Sequence, residues 1–301
     1  MDAGGQPPPP PLSSPSSSET LMAALLTVPA ARLASLARAL SADAHRMRCR
    51  LAFLLLSPPH FARALSRLRA MPLHAKAALL GRALLRSLIL LVPALCPQEH
   101  GMSSSHHHLF LPQPDMDAAL LLLAMCDFYS PAAASASPSG PVDWRAVIVD
   151  DVVANALSVS GLGATPWAAL GPHVDAAAKA RRFADVVSGN DDDRIVNGTT
   201  AKDGEPCCGA ALAAAVRLLP PSAVSAGYAP CAICREEMVE AGRGVCALRP
   251  CGHRFHWRCA RRWLARRNTC PCCRAELPAR DAPDEARRLW RAVERTAARG
   301  R

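Results

Sequence analysis

The stretch that decides the fold runs over residues 231–273: CAICREEMVEAGRGVCALRPCGHRFHWRCARRWLARRNTCPCC. It holds four pairs of metal-type ligands. They are Cys231-x2-Cys234, Cys251-x-His253, His256-x2-Cys259 and Cys270-x2-Cys273. Two residues between cysteines let both thiolates of one turn point at a single ion, which is why such knuckles recur in structural zinc sites. Four pairs complete two tetrahedral sites and leave no open position for a metal-bound water. Zinc is therefore expected to hold this region together and not to do chemistry.

The order of the pairs resembles the RING-H2 finger of ubiquitin ligases, which has histidine at both central positions and is especially numerous in plants. The resemblance covers about Cys231 to Pro278, near one sixth of the chain. It implies that the pairs interleave. One ion would sit on Cys231, Cys234, His256 and Cys259, and the other on Cys251, His253, Cys270 and Cys273. Further residues match the family. Ile233 lies inside the first knuckle, Trp263 lies four residues after Cys259 on an expected short helix, and Pro271 follows Cys270. In the family these positions form a shallow apolar groove for a ubiquitin-conjugating enzyme. Arg274 directly follows the last ligand. The resemblance makes it the catalytic contact, a cation that touches both the conjugating enzyme and its ubiquitin and holds the thioester in a reactive pose.

The implied function is that of a RING-type E3 ubiquitin transferase with two structural zinc ions and no catalytic cysteine of its own. Its partners would be a charged conjugating enzyme, the ubiquitin it carries and a protein substrate. Catalysis would be orientation and pre-organisation. Plainer readings stand beside this one. Ile233 and Trp263 would also serve as the small core of a finger too short to build another, and Arg274 as a solvated charge. A second class is a non-catalytic adaptor whose helices are the working part. A nucleic-acid partner is permitted by the basic C-terminus but not favoured by the ligand order.

Two cysteines inside the finger stay unassigned. Cys272 competes with Cys273 for the last ligand position, and the two-residue gap from Cys270 favours Cys273. Cys246, in Gly-Val-Cys-Ala-Leu, reads as the filler of a strand leading to Cys251.

Outside the finger, half of the 301 residues are apolar and only 4% are aromatic. Alanine and leucine dominate, so helix is expected. Residues 1–17 read as a Pro/Ser-rich tail and not as a leader. Residues 18–130 read as a helical bundle or short solenoid, with Leu33, Leu36 and Leu40 at helical spacing and Ser41 placed to cap a following helix. A linker at 131–141 and a helical segment at 142–188 follow. A polar linker at 189–227 carries a short helix over Ala210 to Leu219. The finger occupies 228–278, and a basic helix fills 279–301. The apolar run from Ser87 to Cys96 is too short for a span of about 20 residues, so no membrane partner is expected. Clustered thiolates suggest a reducing compartment, cytoplasm or nucleus.

The formal charge of +10 is unevenly placed. Arg249 to Arg301 holds fifteen arginines against five acids, the whole of that excess. The last helix carries a modest apolar stripe, Leu289, Trp290 and Val293. It is expected as a solvated basic helix, with packing on the finger, self-pairing or partner binding as the other options.

Metal analysis of the purified protein should find two zinc ions per chain. Cys272→Ser should leave that content unchanged, and Cys273→Ser should lower it. The reverse pattern would place the last ligand at the wrong cysteine.

Overall fold

Proline and one capping serine punctuate the N-terminal half of the chain. The computed structural model describes residues 15–96, 111–129, 143–146, 148–149, 152, 165–189, 209–219, 229–238 and 244–300. Residues 1–14 of the expected tail, the 131–141 linker, residues 153–164 of the expected 142–188 segment and most of the 189–227 linker lie outside the described residues, whereas Ser16 and Ser17 of that tail cap and begin a helix. Ser16 opens α1 (Ser17–Leu26) through a capping box. Its hydroxyl accepts from the Glu19 N–H, and its own N–H donates to the Glu19 carboxylate. Helices α2 (Ala30–Leu56), α3 (Pro58–Ala70), α4 (Leu73–Leu95) and α5 (Gln113–Asp127) each begin at or just after a proline. Proline has no N–H to leave unpaired in the first turn, and its fixed φ suits that position. Helix α6 spans Pro166–Gly189. Ser41 does not cap a helix; it lies inside α2. No glycine or proline interrupts residues 30–56, and extending a helix costs less than nucleating a new one.

The N-terminal region is a helical bundle, and its core is built largely of leucine and alanine. The main cluster joins Leu21 and Leu25 of α1, Leu85, Leu88 and Val92 of α4, and Leu170 and Ala177 of α6. A second cluster joins α3, α4 and α5 through Leu68, Leu79, Ala118 and Leu121. Helix α4 is long and apolar enough to cross a membrane. Here Leu85, Leu88, Leu91 and Leu95 are buried in the bundle instead.

The finger is a small sheet with one helix. A short helix, α7 (Leu212–Ala215), runs into β1 (Val216–Leu218). Strand β1 pairs antiparallel with β2 (Val245–Leu248), and β2 pairs antiparallel with β3 (Arg254–His256). In this register Arg217 faces Ala247, and Cys246 faces Phe255. Helix α8 (Trp257–Leu264) follows β3 directly. The helix expected over Ala210 to Leu219 is therefore split. Its second half pairs with the edge of β2, where ladder bonds satisfy backbone groups that β2 would otherwise leave open.

The last helix, α9 (Ala282–Arg299), overturns the expectation of a solvated basic helix. Leu289, Trp290 and Val293 are buried in the main cluster, packed with residues of α1, α4 and α6. Ala282, Ala286 and Ala297 widen that stripe and let neighbouring helices approach closely. The junction is tight at Gly81. A Cβ on Gly81 would lie 2.9 Å from Phe183 Cε1 and 3.4 Å from Ala282 Cβ. Several arginines of α9 point at acids. Arg288 is buried and donates to both carboxylate oxygens of Glu285, at 2.8 and 2.7 Å. Arg291 reaches Glu276 at 3.0 Å, and Glu294 accepts from Arg181 of α6 at 3.1 Å. The finger thus runs straight into a helix that the bundle uses as core.

Trp290→Ala should destabilise the bundle by about 3–5 kcal/mol, the usual cost of emptying a large core position. Urea unfolding followed by circular dichroism should show the loss, with two zinc ions retained. An unchanged midpoint would contradict the placement of α9.

Candidate metal centre and its rim

Two turns with the same backbone geometry carry the cysteine knuckles. In the first, Arg235 N–H donates to Cys231 O at 2.6 Å, and Cys231 N–H donates to Glu236 O at 2.9 Å. In the second, Arg274 N–H donates to Cys270 O at 2.9 Å, and Cys270 N–H donates to Ala275 O at 2.9 Å. Each turn places the residue after its second cysteine in the left-handed region, with φ 63° at Arg235 and 56° at Arg274. A side chain there costs about 1–2 kcal/mol. Cys251 and His253 sit in the β2–β3 turn around Gly252, whose φ of 73° suits glycine. His256 ends β3, and Cys259 lies in the first turn of α8.

The fold gathers these pairs into two groups. Cys231, Cys234, His256 and Cys259 form one, and Cys251, His253, Cys270 and Cys273 form the other. Within each group the ligand atoms all lie within 4.8 Å of one another. A tetrahedron with Zn–S bonds of about 2.3 Å has edges of about 3.8 Å, so the arrangement suits zinc. Three thiols and one imidazole make a donor set for a closed structural site. The imidazoles are turned for the task. His256 Nδ1 lies 3.3 Å from Cys234 Sγ, and its Nε2 faces Glu237 O at 3.2 Å. With Nε2–H donating to that carbonyl, Nδ1 keeps its lone pair for the metal. His253 likewise turns Nδ1 toward Cys270 Sγ, at 3.6 Å.

Without metal, a packed thiol cluster cannot shed all its protons. Burial, and then the neighbouring Cys234 and Cys231 sulfurs, push Cys259 up to about 12. Burial, with Cys270 and Cys273 beside it, pushes Cys251 up to about 12 as well. Cys273 is held low, chiefly by the Ala275 N–H. Burial opposes ionisation at Cys231, but N–H groups at Cys234, His256 and Ile233 outweigh it and lower that thiol. A bound dication supplies the charge that lets every thiolate form.

Cys272 is exposed and belongs to neither group. Burial first, and then Cys270 and Cys273, raise its thiol above the ordinary value. Cys246 fills the β2–β3 strand pair, with its thiol donating to Phe255 O at 3.5 Å, and burial pushes it up to about 11. Ile233, Trp263 and Pro271 are all partly exposed. Ile233 and Trp263 pack against the outside of one apolar cluster that includes Phe255, Leu264 and Leu277. The Trp263 indole N–H donates to Thr269 O at 2.8 Å, which fixes the ring beside the second knuckle. Arg274 is exposed at that knuckle.

The sequence reading missed the segment at 209–219. Ala210 N–H donates to Leu264 O at 2.7 Å, Ala211 N–H to Pro278 O at 2.8 Å, and Arg280 N–H to Gly209 O at 2.9 Å. A Cβ on Gly209 would lie 3.0 Å from Ala265 O. The finger therefore includes a strand and a clasp that lie before its first ligand. The alanine-rich run read as helix, and the one β-branched residue of β1, Val216, gave too weak a signal.

Residues 229–274 match the Ring finger domain family. The chain is 34% identical over 277 residues to the E3 ubiquitin-protein ligase SGR9, amyloplastic, of Arabidopsis thaliana, covering 90% of this chain and 93% of that protein. Shorter likenesses fall on two other Arabidopsis thaliana proteins. The probable E3 ubiquitin-protein ligase RHC2A is 38% identical over 27% of this chain and 20% of its own length. The RING-H2 finger protein ATL34 is 40% identical over 21% of this chain and 19% of its own length. No solved structure matches. The chain belongs to the RING-type E3 ubiquitin ligases, and its two Cys/His groups fit two structural zinc ions.

Zinc loading of the metal-free protein at neutral pH should release protons, because Cys251 and Cys259 hold theirs until metal arrives. Apparent affinity should therefore fall as pH drops from about 8 to about 6. Competition with a chromophoric chelator would measure it, and a pH-independent affinity would contradict the protonated starting state.

Proposed function

We propose that the finger binds a ubiquitin-charged conjugating enzyme and promotes direct transfer of ubiquitin to a substrate lysine. The observation that carries this reading is the setting of Arg274. Backbone strain alone does not single it out, since Arg235 shares the same left-handed turn. Its surroundings do. Pro271 belongs to the same knuckle, and Trp263 is bonded to Thr269 immediately before it. One rigid turn therefore carries an exposed cation beside partly exposed apolar side chains, the combination that docking and orientation both need.

The chemistry asks little of this chain beyond position. The neutral substrate amine attacks the thioester carbonyl and forms the new C–N bond, the C–S bond breaks, the conjugating enzyme's cysteine leaves as thiolate, and the proton shed by nitrogen passes to solvent. Ile233, Trp263 and Pro271 would hold the conjugating enzyme. The planar guanidinium of Arg274 can serve two acceptors at once. It would bridge enzyme and ubiquitin and keep the thioester in a reactive pose. Of the cysteines in the finger outside the zinc groups, Cys246 is buried and Cys272 keeps its proton, so neither offers a ready nucleophile.

The bundle would recruit substrate or place the protein. We assign the chain to a reducing compartment, cytoplasm or nucleus.

Arg274→Ala should slow discharge of ubiquitin to free lysine about tenfold, a barrier change of about 1.4 kcal/mol. Binding of the uncharged conjugating enzyme should change little, because the contact matters most in the transition state. Ile233→Ala and Trp263→Ala should each weaken that binding by about 1–3 kcal/mol while two zinc ions remain bound. A parental discharge rate in Arg274→Ala would leave that arginine a surface charge and favour the adaptor reading.

A further inference from the structure

Helix α8 and the turn after it carry Arg258, Arg261, Arg262, Arg266 and Arg267, all of them exposed. None makes an ion pair among the described residues. Helix α9 behaves differently, since Arg287, Arg288 and Arg291 there each pair with an acid. On α8, Arg258 and Arg262 stand one turn apart at i, i+4 spacing, and Arg266 lies in the turn that follows the helix. Like charges at that spacing repel and weaken a helix, a cost that an anionic partner would offset. The arginine face reaches the apolar rim at Arg267, whose guanidinium lies 5.7 Å from the Trp263 ring centre.

We propose that this arginine face selects the conjugating enzyme by charge, favouring one with an acidic surface beside its docking loops. The inference rests on the reading that Trp263 docks a conjugating enzyme, and it adds which kind. Complementary charge acts mainly on the rate of encounter and can raise it about 10- to 1,000-fold at low salt. Contiguity decides the class of partner. An RNA or an anionic membrane spread over Arg258 to Arg267 would cover Trp263 and shut out the conjugating enzyme. An acidic conjugating enzyme uses the apolar rim and the arginine face together.

The test measures association and dissociation rates of the full-length zinc-loaded chain with two uncharged conjugating enzymes, one acidic and one basic. The variant is Arg258→Glu, Arg262→Glu and Arg266→Glu combined, with zinc content and circular dichroism as folding controls. For the parental chain, association with the acidic enzyme should fall at least about tenfold between about 0.05 and about 0.5 M salt. The triple variant should show the slow rate at both salts, with dissociation little changed, and its association with the basic enzyme should not fall. Salt-insensitive association of the parental chain, or an unaltered low-salt rate in the triple variant, would overturn the proposal. So would triple-variant-sensitive binding to phosphatidylserine vesicles or poly(U) RNA with unchanged enzyme association. Trp263→Ala separates the two readings: parental binding at every salt would sink the docking site itself, whereas weaker binding with the salt dependence intact supports both. If the triple variant loses its zinc, single Arg258→Glu and Arg262→Glu variants carry the same test, each expected to remove part of the salt dependence.

Discussion

Interleaving of the two Cys/His groups is the constraint on which the finger depends. One group joins the knuckle before β2 to the end of β3 and the first turn of α8. The other joins the β2–β3 turn to the knuckle after α8. Each ion would tie chain segments that the other also spans, so completing one site helps to order the other. The apolar cluster of Phe255, Leu264 and Leu277 is too small to do this alone. Both knuckles also carry a left-handed arginine, a backbone cost that metal binding is large enough to offset.

The finger is not an appendage on a loose tether. Its last residues lead into α9, and α9 supplies Leu289, Trp290 and Val293 to the bundle core. Glu285 stands at the junction. Its carboxylate accepts the Ala279 N–H at 2.8 Å and the Arg288 guanidinium, all of it buried. A charge buried this way stands only while every partner is in place. The Arg291–Glu276 pair adds a second, more exposed link between α9 and the segment after Arg274. The chain thus runs without a break from the finger into the core of the bundle.

Two kinds of surface meet at the second knuckle. Trp263 and Pro271 offer partly exposed apolar area, and Arg267, in the turn after α8, sets a positive charge over the Trp263 ring. Apolar contact sets how long a partner stays, and charge sets how often it arrives. Their adjacency follows from placing a basic helix directly between the two halves of the metal centre.

The metal centre was legible in the sequence because ligand chemistry and spacing are local. Two-residue gaps within pairs, histidines in both central positions and Arg274 after the last cysteine can be read without knowing any long-range contact. The helices of the N-terminal region were legible from leucine periodicity and proline breaks for the same reason. Tertiary structure decided what depends on a partner far along the chain. Val216 to Leu218 is a strand because β2 offers an open edge, not because an alanine-rich run prefers strand. Gly209 and Ala210 belong to the finger because Arg280 N–H and Leu264 O, far along the chain, take up their backbone groups. The basic helix α9 is core because alanines at 282, 286 and 297 let α1, α4 and α6 close around Trp290, while acids meet Arg287, Arg288 and Arg291. Composition showed the arginines of that helix. Only packing could show which of its faces the rest of the chain would cover.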